Sequence, residues 1–295
     1  MIPRVGRFTV NKQVVRDLQR EMIVAALQGR IGNLRYFGLC SPEMKDVLDW
    51  IDLLALIVAA ERGQAGREHE DQHKLRLTAT RHGFQTKLKL LCGDIDYTIL
   101  NGADLFGNRI PYPFDIVSLD YSGGLFYRDE AHGFYRLKAI ERVVQEQLPS
   151  QRSYVFLISA NCHAIDAGEV RTSIEILRTE LNRRGWNADR VCNAYLNTPE
   201  DSARMKLYVP LYVARIAAAV RYSSHSAPVL VYEGNNGVEM LSFRFMLKPD
   251  HRTAMPRFPQ ERLNQVLNTP AIRITNGKSA RTMLGVPKLT RRDVR

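Results

Sequence analysis

Three acidic residues follow three predicted strands, each at the point where the strand ends. Glu61 closes one apolar run, Asp94 follows a second, and Asp120 follows a third. If the strands run parallel, their carboxyl ends meet at one edge of the sheet, where open α/β proteins bind ligands. A carboxylate there accepts hydrogen bonds from ligand hydroxyl groups, or takes a proton from a nucleophile. The alternative is that each acid caps the helix after its strand, a common role for aspartate.

Two loops at these strand ends add further candidates. After the first predicted strand, Ser41 and Pro42 predict the start of a helix, whose free N–H groups attract carboxylates. After the fourth strand, residues 121–127 combine glycines with aromatic rings that either stack on a flat ligand or pack as ordinary core. Cys40 and Cys92 lie at the ends of apolar strands, which favours buried, unreactive thiols over nucleophiles.

The pattern that must position these residues alternates strand-like runs with helical stretches, which is typical of a parallel sheet flanked by helices. An Asn-Gly pair between two later apolar runs predicts an antiparallel hairpin. The predicted strands are 33–40, 55–61, 87–92, 114–119 and 154–159, the hairpin is 227–232 with 238–247, and the predicted helices are 43–53, 67–83, 134–147, 167–184, 200–222 and 260–267. We expect a helical extension at 1–32, one α/β domain over 33–250 and a basic extension over 251–295.

Composition excludes several classes of protein. Of the 295 residues, 45% are hydrophobic and 25% are charged, which excludes a fully disordered or fibrous chain. The longest apolar run, residues 53–60, is far shorter than the ~20 residues that span a bilayer. The four cysteines are widely spaced and the first residues carry no secretory signal pattern, so we expect reduced thiols, no membrane association and a cytoplasmic location.

The order of elements and the placement of the acids resemble class I S-adenosylmethionine-dependent methyltransferases over about residues 33–247. The resemblance implies a Rossmann-like, doubly wound, mostly parallel sheet of about seven strands, with helices on both faces and a C-terminal antiparallel hairpin. It implies S-adenosylmethionine as cofactor, with Glu61 on the ribose hydroxyls and Asp94 near the adenine amino group. Asp120 and Tyr121 would be the catalytic pair that faces the methyl acceptor. The remaining implied cofactor contacts are Gly38, Cys40, Ser41 and Gly93.

Two departures from that family keep a second hypothesis open. The loop at Gly38 has one glycine where the family has an acid followed by Gly-x-Gly-x-Gly. The segment that begins at Asp120 is Asp-Tyr-Ser-Gly, whereas exocyclic-amine methyltransferases have Asp/Asn-Pro-Pro-Tyr. The chain is therefore either an active methyltransferase, or an inactive scaffold of this fold or nucleic-acid-binding subunit within a larger assembly.

Charge predicts a polyanionic partner. The net charge is +11, and residues 251–295 hold ten Lys or Arg against two acids, while residues 1–34 hold six against two. Clustered basic residues release counterions from nucleic acid, so we expect contact with nucleic acid through both ends of the chain. The alternative is that the basic ends serve only solubility.

One exact metal motif occurs, His-Glu-x-x-His at residues 69–73. Two histidines one helical turn apart can share a zinc ion, with the glutamate as base. The flanking residues are strongly charged and no third ligand follows nearby, which favours a solvated helix face. We therefore expect no bound metal, and a zinc-dependent hydrolase using His69 and His73 remains the least favoured hypothesis.

Overall fold

The computed structural model describes residues 10–61, 68–121, 123–129, 134–162, 201–234, 237–250 and 269–282, with isolated residues between 171 and 193. Its helices are α1 (Val10–Leu27), α2 (Lys45–Trp50), α3 (Glu68–Arg81), α4 (Ile95–Asn101), α5 (Arg136–Glu146) and α6 (Asp201–Ala219). Its strands are β1 (Leu34–Leu39), β2 (Leu54–Glu61), β3 (Leu88–Cys92), β4 (Ile116–Asp120), β5 (Arg128–Asp129), β6 (Phe134–Tyr135), β7 (Tyr154–Asn161), β8 (Tyr222–Ser226), β9 (Leu230–Glu233), β10 (Glu239–Pro249), β11 (Ala271–Thr275) and β12 (Lys278–Thr282).

Ten of these strands form one sheet in the order β12-β11-β9-β10-β7-β4-β1-β2-β3, with β8 also pairing β10. The strands from β3 to β7 in this order run parallel, and β10 runs antiparallel to β7 and β9. This is a Rossmann-like, mostly parallel sheet with an antiparallel hairpin, as the sequence predicted, but it has ten strands instead of about seven. The reversal of strand order at β1 and β4 opens a crevice beyond their carboxyl ends.

The sheet is covered on both faces because successive strand residues alternate between two apolar clusters. On one face, Tyr36 packs with residues of α1, α2 and α3. On the other face, Phe37 packs with residues of α4, α5 and α6. The helices therefore divide in chain order, the first three on one side of the sheet and the last three on the other.

The hairpin partner of β10 is split into two strands. β8 pairs with residues 245–249 and β9 pairs with residues 239–242. Pro228 lies between them, and a proline cannot donate a ladder hydrogen bond, so the pairing is interrupted there. The helix predicted over 200–222 ends at Ala219 because the polar segment Tyr222–Ser226 continues as β8.

Two parts of the chain outside the predicted α/β domain join the same sheet or cover it. α1 packs on the sheet, and the hairpin of β11 and β12 extends the sheet beyond β9, with β11 parallel to β9. The turn of this hairpin lies at the start of α1, where the Gly277 N–H donates to Asn11 Oδ1 at 3.0 Å. The sequence did not predict this hairpin, and the helix predicted at 260–267 lies outside the described residues.

Other elements differ from their predicted bounds. The helix predicted from residue 43 begins at Lys45, and Ser41 does not cap it: its carbonyl accepts a turn hydrogen bond from the Met44 N–H. Met44 has a left-handed backbone, with φ 48°, and a buried side chain, so packing sets the start of this helix. α4 was not predicted, and most of the helix predicted at 167–184 lies outside the described residues.

The described residues contain no helix long and apolar enough to cross a bilayer. All four cysteines are free and buried.

Candidate functional site

A cavity of about 350 Å³ lies at the carboxyl ends of β1, β3 and β4, with α1 crossing one side of it. Its walls are mostly polar. The lining residues are Lys12, Arg16, Leu39, Cys40, Ser41, Asp46, Asp94, Ile95, Asp96, Asp120, Tyr121 and Arg136. Ligand pockets in proteins begin at about 300 Å³, so this cavity is large enough for a small organic molecule.

The first charged pair joins α1 to the end of β4. Lys12 Nζ lies 2.6 Å from Asp120 Oδ2. Burial raises the pKa of the Asp120 carboxyl, and the neighbouring Lys12 ammonium opposes that rise. Burial also disfavours the charged form of Lys12, but Asp120 and Asp46 outweigh it and leave the pKa of Lys12 raised. The ammonium is therefore charged at neutral pH.

The second pair fixes α1 against α2. The buried Arg16 guanidinium donates to the Asp46 carboxylate and lies 3.8 Å from Asp49. Asp46 lies in the first turn of α2, so this pair ties the start of α2 to α1. The outer face of α1 adds a bidentate pair between Arg20 and Asp52.

The third pair forms the wall between α4 and α5. Arg136 Nε donates to Asp96 Oδ2 at 3.0 Å, and the Tyr121 hydroxyl donates to Asp96 Oδ1 at 2.8 Å. The Arg136 guanidinium also stacks 4.0 Å from the centre of the Tyr121 ring and donates to the Gly124 carbonyl. The pKa of Asp96 is raised because burial outweighs the opposing effects of Arg136 and Tyr121. The network holds the loop after β4 in one position.

Asp94 lines the cavity and also caps α4. Its Oδ1 accepts from the backbone N–H groups of Asp96 at 2.8 Å and Tyr97 at 3.3 Å. Asp94 therefore caps the helix after its strand, which is the alternative role for these acids. A capping carboxylate can still contact a ligand, because a carboxylate has about four acceptor positions.

The glycines and Glu61 stand apart from the lining residues. A Cβ at Gly38 would collide with the Ser118 carbonyl and lie 2.6 Å from the Tyr36 hydroxyl, so protein atoms fill the space beside this glycine. Gly93 has φ 128° and faces Leu105, on a loop beyond β3. Glu61 ends β2 beside Cys92, and its side chain lies outside the described part. Cys40 and Ser41 line the cavity, with Cys40 buried and Ser41 exposed.

The aromatic loop and the histidine motif are the two remaining candidates, and of their described residues only Tyr121 lines this cavity. In the aromatic loop after Asp120, Tyr121 and Phe126 are buried, as the packing alternative expects, whereas Tyr127 is 42% exposed. On α3, His73 is exposed and Glu70 pairs with Lys74 at 2.9 Å, while the side chain of His69 lies outside the described part. Within the described residues, no group of three or more His, Cys, Asp or Glu side chains could hold a metal ion.

Sequence reasoning missed five charged residues that line the cavity. They are Lys12, Arg16, Asp46, Asp96 and Arg136. For Lys12 and Arg16 the sequence offers one signal, the basic charge of the N-terminal segment, which by itself predicts a polyanionic partner. In the structure the four described basic residues of this segment all pair with aspartates of the same chain, namely Lys12, Arg16, Arg20 and Arg30.

Comparison with known proteins gave matches in structure only. No protein-family model matches this sequence, and no curated protein sequence matches it significantly. The chain is similar to an O-methyltransferase from Bacillus cereus solved with SAH, at 10% identity and TM-score 0.43, over 82% of this chain and 93% of the other. It is similar to the O-methyltransferase TomG from Streptomyces achromogenes solved with SAM, at 9% identity and TM-score 0.42, over 80% and 88%.

A third match is the precorrin-6y C5,15-methyltransferase from Geobacter metallireducens, at 11% identity and TM-score 0.36, over 78% of this chain and 87% of the other. At these identities the matches concern the path of the chain, and the activities in their names belong to those proteins.

Proposed function

We propose that this chain is a methyltransferase-like protein that takes S-adenosylmethionine in the cavity and acts on or together with nucleic acid. One observation carries the proposal: Asp94 and Asp120, at the ends of β3 and β4, line one cavity at the point where the strand order reverses. This is the edge at which an open α/β sheet binds its ligand.

The donor set of the cavity fits this cofactor. Four aspartates and three basic residues line it, which gives a formal charge of −1. S-adenosylmethionine carries a sulfonium cation beside an amino-acid group that is neutral overall, so its charge is complementary. Cys40, Ser41 and Asp94 are the proposed contacts that line the cavity. Glu61 remains a predicted contact on the ribose, and Gly38 and Gly93 would contribute only through their backbone.

The cofactor, when bound, supplies an electrophilic methyl group on sulfur. Asp120 would accept a hydrogen bond or a proton from the attacking group, because the family resemblance assigns the end of the fourth strand to the methyl acceptor. Tyr121 would hold the loop after β4, since its hydroxyl already donates a hydrogen bond to Asp96. The main contribution of the chain would be to align the two reacting groups.

The support for nucleic acid comes from the C-terminal end. Residues 283–295 add four basic residues and one acid after the edge strand β12, where Lys278 and Arg281 are exposed. The basic residues of α1 give no such support because they are paired within the protein. Lysine on an edge strand also prevents strand-to-strand aggregation, which is the alternative role for β12.

Titration calorimetry with S-adenosylmethionine and with its demethylated product tests the proposal. We expect one equivalent of each ligand to bind, and Glu61→Ala to abolish the binding while the folded signal in circular dichroism remains. Absence of heat with both ligands, or unchanged binding in both Glu61→Ala and Asp94→Asn, would contradict it.

A non-catalytic scaffold is the second candidate, and two contacts favour it. Lys12 Nζ donates to Asp120 Oδ2 at 2.6 Å, so this oxygen already has a partner in the protein. Protein atoms also fill the space beside Gly38. A scaffold of this kind would bind its partner without binding the cofactor, so the same calorimetry separates the two candidates.

A further inference from the structure

We propose that Lys12 is a positioning residue of this site, whose ammonium holds the Asp120 carboxylate ionised inside the cavity. The role of Asp120 as proton acceptor rests on the proposed function, whereas the pairing of charges does not. Lys12 belongs to the N-terminal segment, which the sequence set outside the α/β domain. The structure makes it part of the wall of the site.

The main chain that carries Lys12 is fixed along the length of α1. Arg16 binds α2, the Gln19 amide donates to Ser242 at 3.2 Å, and Arg244 donates to the Leu18 carbonyl at 2.9 Å. At the start of the helix, Asn11 accepts from the hairpin of β11 and β12. The Lys12 side chain extends from this fixed helix to Asp120 and is 36% exposed.

The groups around Asp120 show what Lys12 contributes. Lys12 and Arg16 approach from α1, Asp46 from α2 and the Tyr232 ring from β9. With Lys12 present, two cations face two carboxylates. Without it, Asp46 keeps Arg16 as its direct partner. Asp120, whose side chain is 20% exposed, then faces the like charge of Asp46 with only the Arg16 guanidinium named above to oppose it. Both burial and a neighbouring like charge favour the protonated form.

A second, smaller cavity lies behind Asp120. It measures about 10 Å³ and is lined on the sheet side by Ser118, Ser159 and Tyr232. A space of this size with polar walls is about that of one water molecule. Hydroxyl groups on this side can orient the carboxylate, but they carry no charge at neutral pH. Lys12 is therefore the directly bonded cation that keeps Asp120 charged.

The test is a carbon-13 NMR titration of the aspartate carboxyls in the ligand-free protein, with the Asp120 signal assigned by Asp120→Asn. We expect Lys12→Met to raise the Asp120 midpoint by about one to three pH units, and Lys12→Arg to leave it near that of the unchanged protein. Lys12→Gln makes the same comparison if Lys12→Met does not fold. A midpoint that is the same in the neutral variants and in the unchanged protein would overturn the proposal.

A second readout links this pair to ligand binding. If calorimetry detects S-adenosylmethionine, the pH at which binding changes should move in the same direction as the Asp120 midpoint in Lys12→Met, whereas a purely structural lysine would lower thermal stability without moving that pH. Failure of the cofactor to bind would contradict the proposed function and leave the NMR result standing. An unmoved midpoint would overturn the role of Lys12 alone.

Discussion

Asp94 combines a capping role and a proposed ligand role, and two variants separate them. An asparagine keeps an oxygen that accepts from the backbone N–H groups of Asp96 and Tyr97, whereas an alanine does not. We expect Asp94→Ala to lower the free energy of unfolding by about 1 kcal/mol and Asp94→Asn to leave it nearly unchanged. Both variants should weaken binding of S-adenosylmethionine in calorimetry. If Asp94→Asn binds as tightly as the unchanged protein, Asp94 is a cap only.

Gly38 is required by packing between β1 and β4. A Cβ at this position would meet the Ser118 carbonyl, which belongs to the backbone and cannot rotate away. We expect Gly38→Ala to lower the free energy of unfolding by about 1–3 kcal/mol in urea denaturation. Gly123→Ala is the control, since its Cβ would lie 3.5 Å from an Arg136 nitrogen, which is ordinary van der Waals distance. Equal stability of the two variants would contradict this account.

At the scale of elements, the loop between α4 and β4 is organised by one carboxylate. Asp104 accepts from the N–H groups of Cys92, Phe106 and Asn108 and from the Asn108 side chain. Burial acts to raise the pKa of Asp104, but these hydrogen bonds outweigh it and lower the pKa. A lowered pKa means that the folded loop prefers the ionised carboxylate. Its stabilisation is present above the unfolded pKa and is lost as pH falls through the lower, folded value.

The corresponding prediction concerns Asp104→Asn. At neutral pH we expect this variant to exchange the Phe106 and Asn108 amide hydrogens faster, by the equivalent of about 1–3 kcal/mol of lost protection. Below the folded pKa of Asp104 the difference should vanish, because Asp104 is then uncharged in the unchanged protein as well. A difference that stays constant down to that pH would show that the charge of Asp104 does not stabilise the loop.

For the whole molecule, the distribution of charge gives a prediction that does not depend on the site. Deletion of residues 283–295 removes four basic residues and one acid and leaves β12 intact. If the tail binds duplex nucleic acid, the slope of log affinity against log salt should flatten by ~0.9 for each phosphate that the truncated protein no longer neutralises. Binding of S-adenosylmethionine and the melting temperature should not change. The same affinity and slope after truncation would reduce the tail to a solubility role.

The sequence by itself determined the parallel strands, their order along the chain and the antiparallel hairpin that includes β9 and β10. Those features follow from local periodicity: apolar runs such as Leu54–Glu61 end at an acid, and the last two runs flank an Asn-Gly pair. The acids at the strand ends were predicted for the same reason. In a parallel sheet, strand direction alone brings Asp94 and Asp120 to one edge.

Only the tertiary structure decided which charges meet in the cavity. Lys12 lies 108 residues from Asp120, and Arg136 lies 40 residues from Asp96, so no local spacing predicts either pair. The same is true of the hairpin at β11, which is held to the start of α1 by Asn11. Net charge counts basic residues without their partners, so it predicts an external polyanion for Lys12 and Arg16. Packing of α1 across the sheet turns them inward, where Lys12 pairs with Asp120 and Arg16 with Asp46. A charge removed from water is costly unless an opposite charge or hydrogen bonds compensate it.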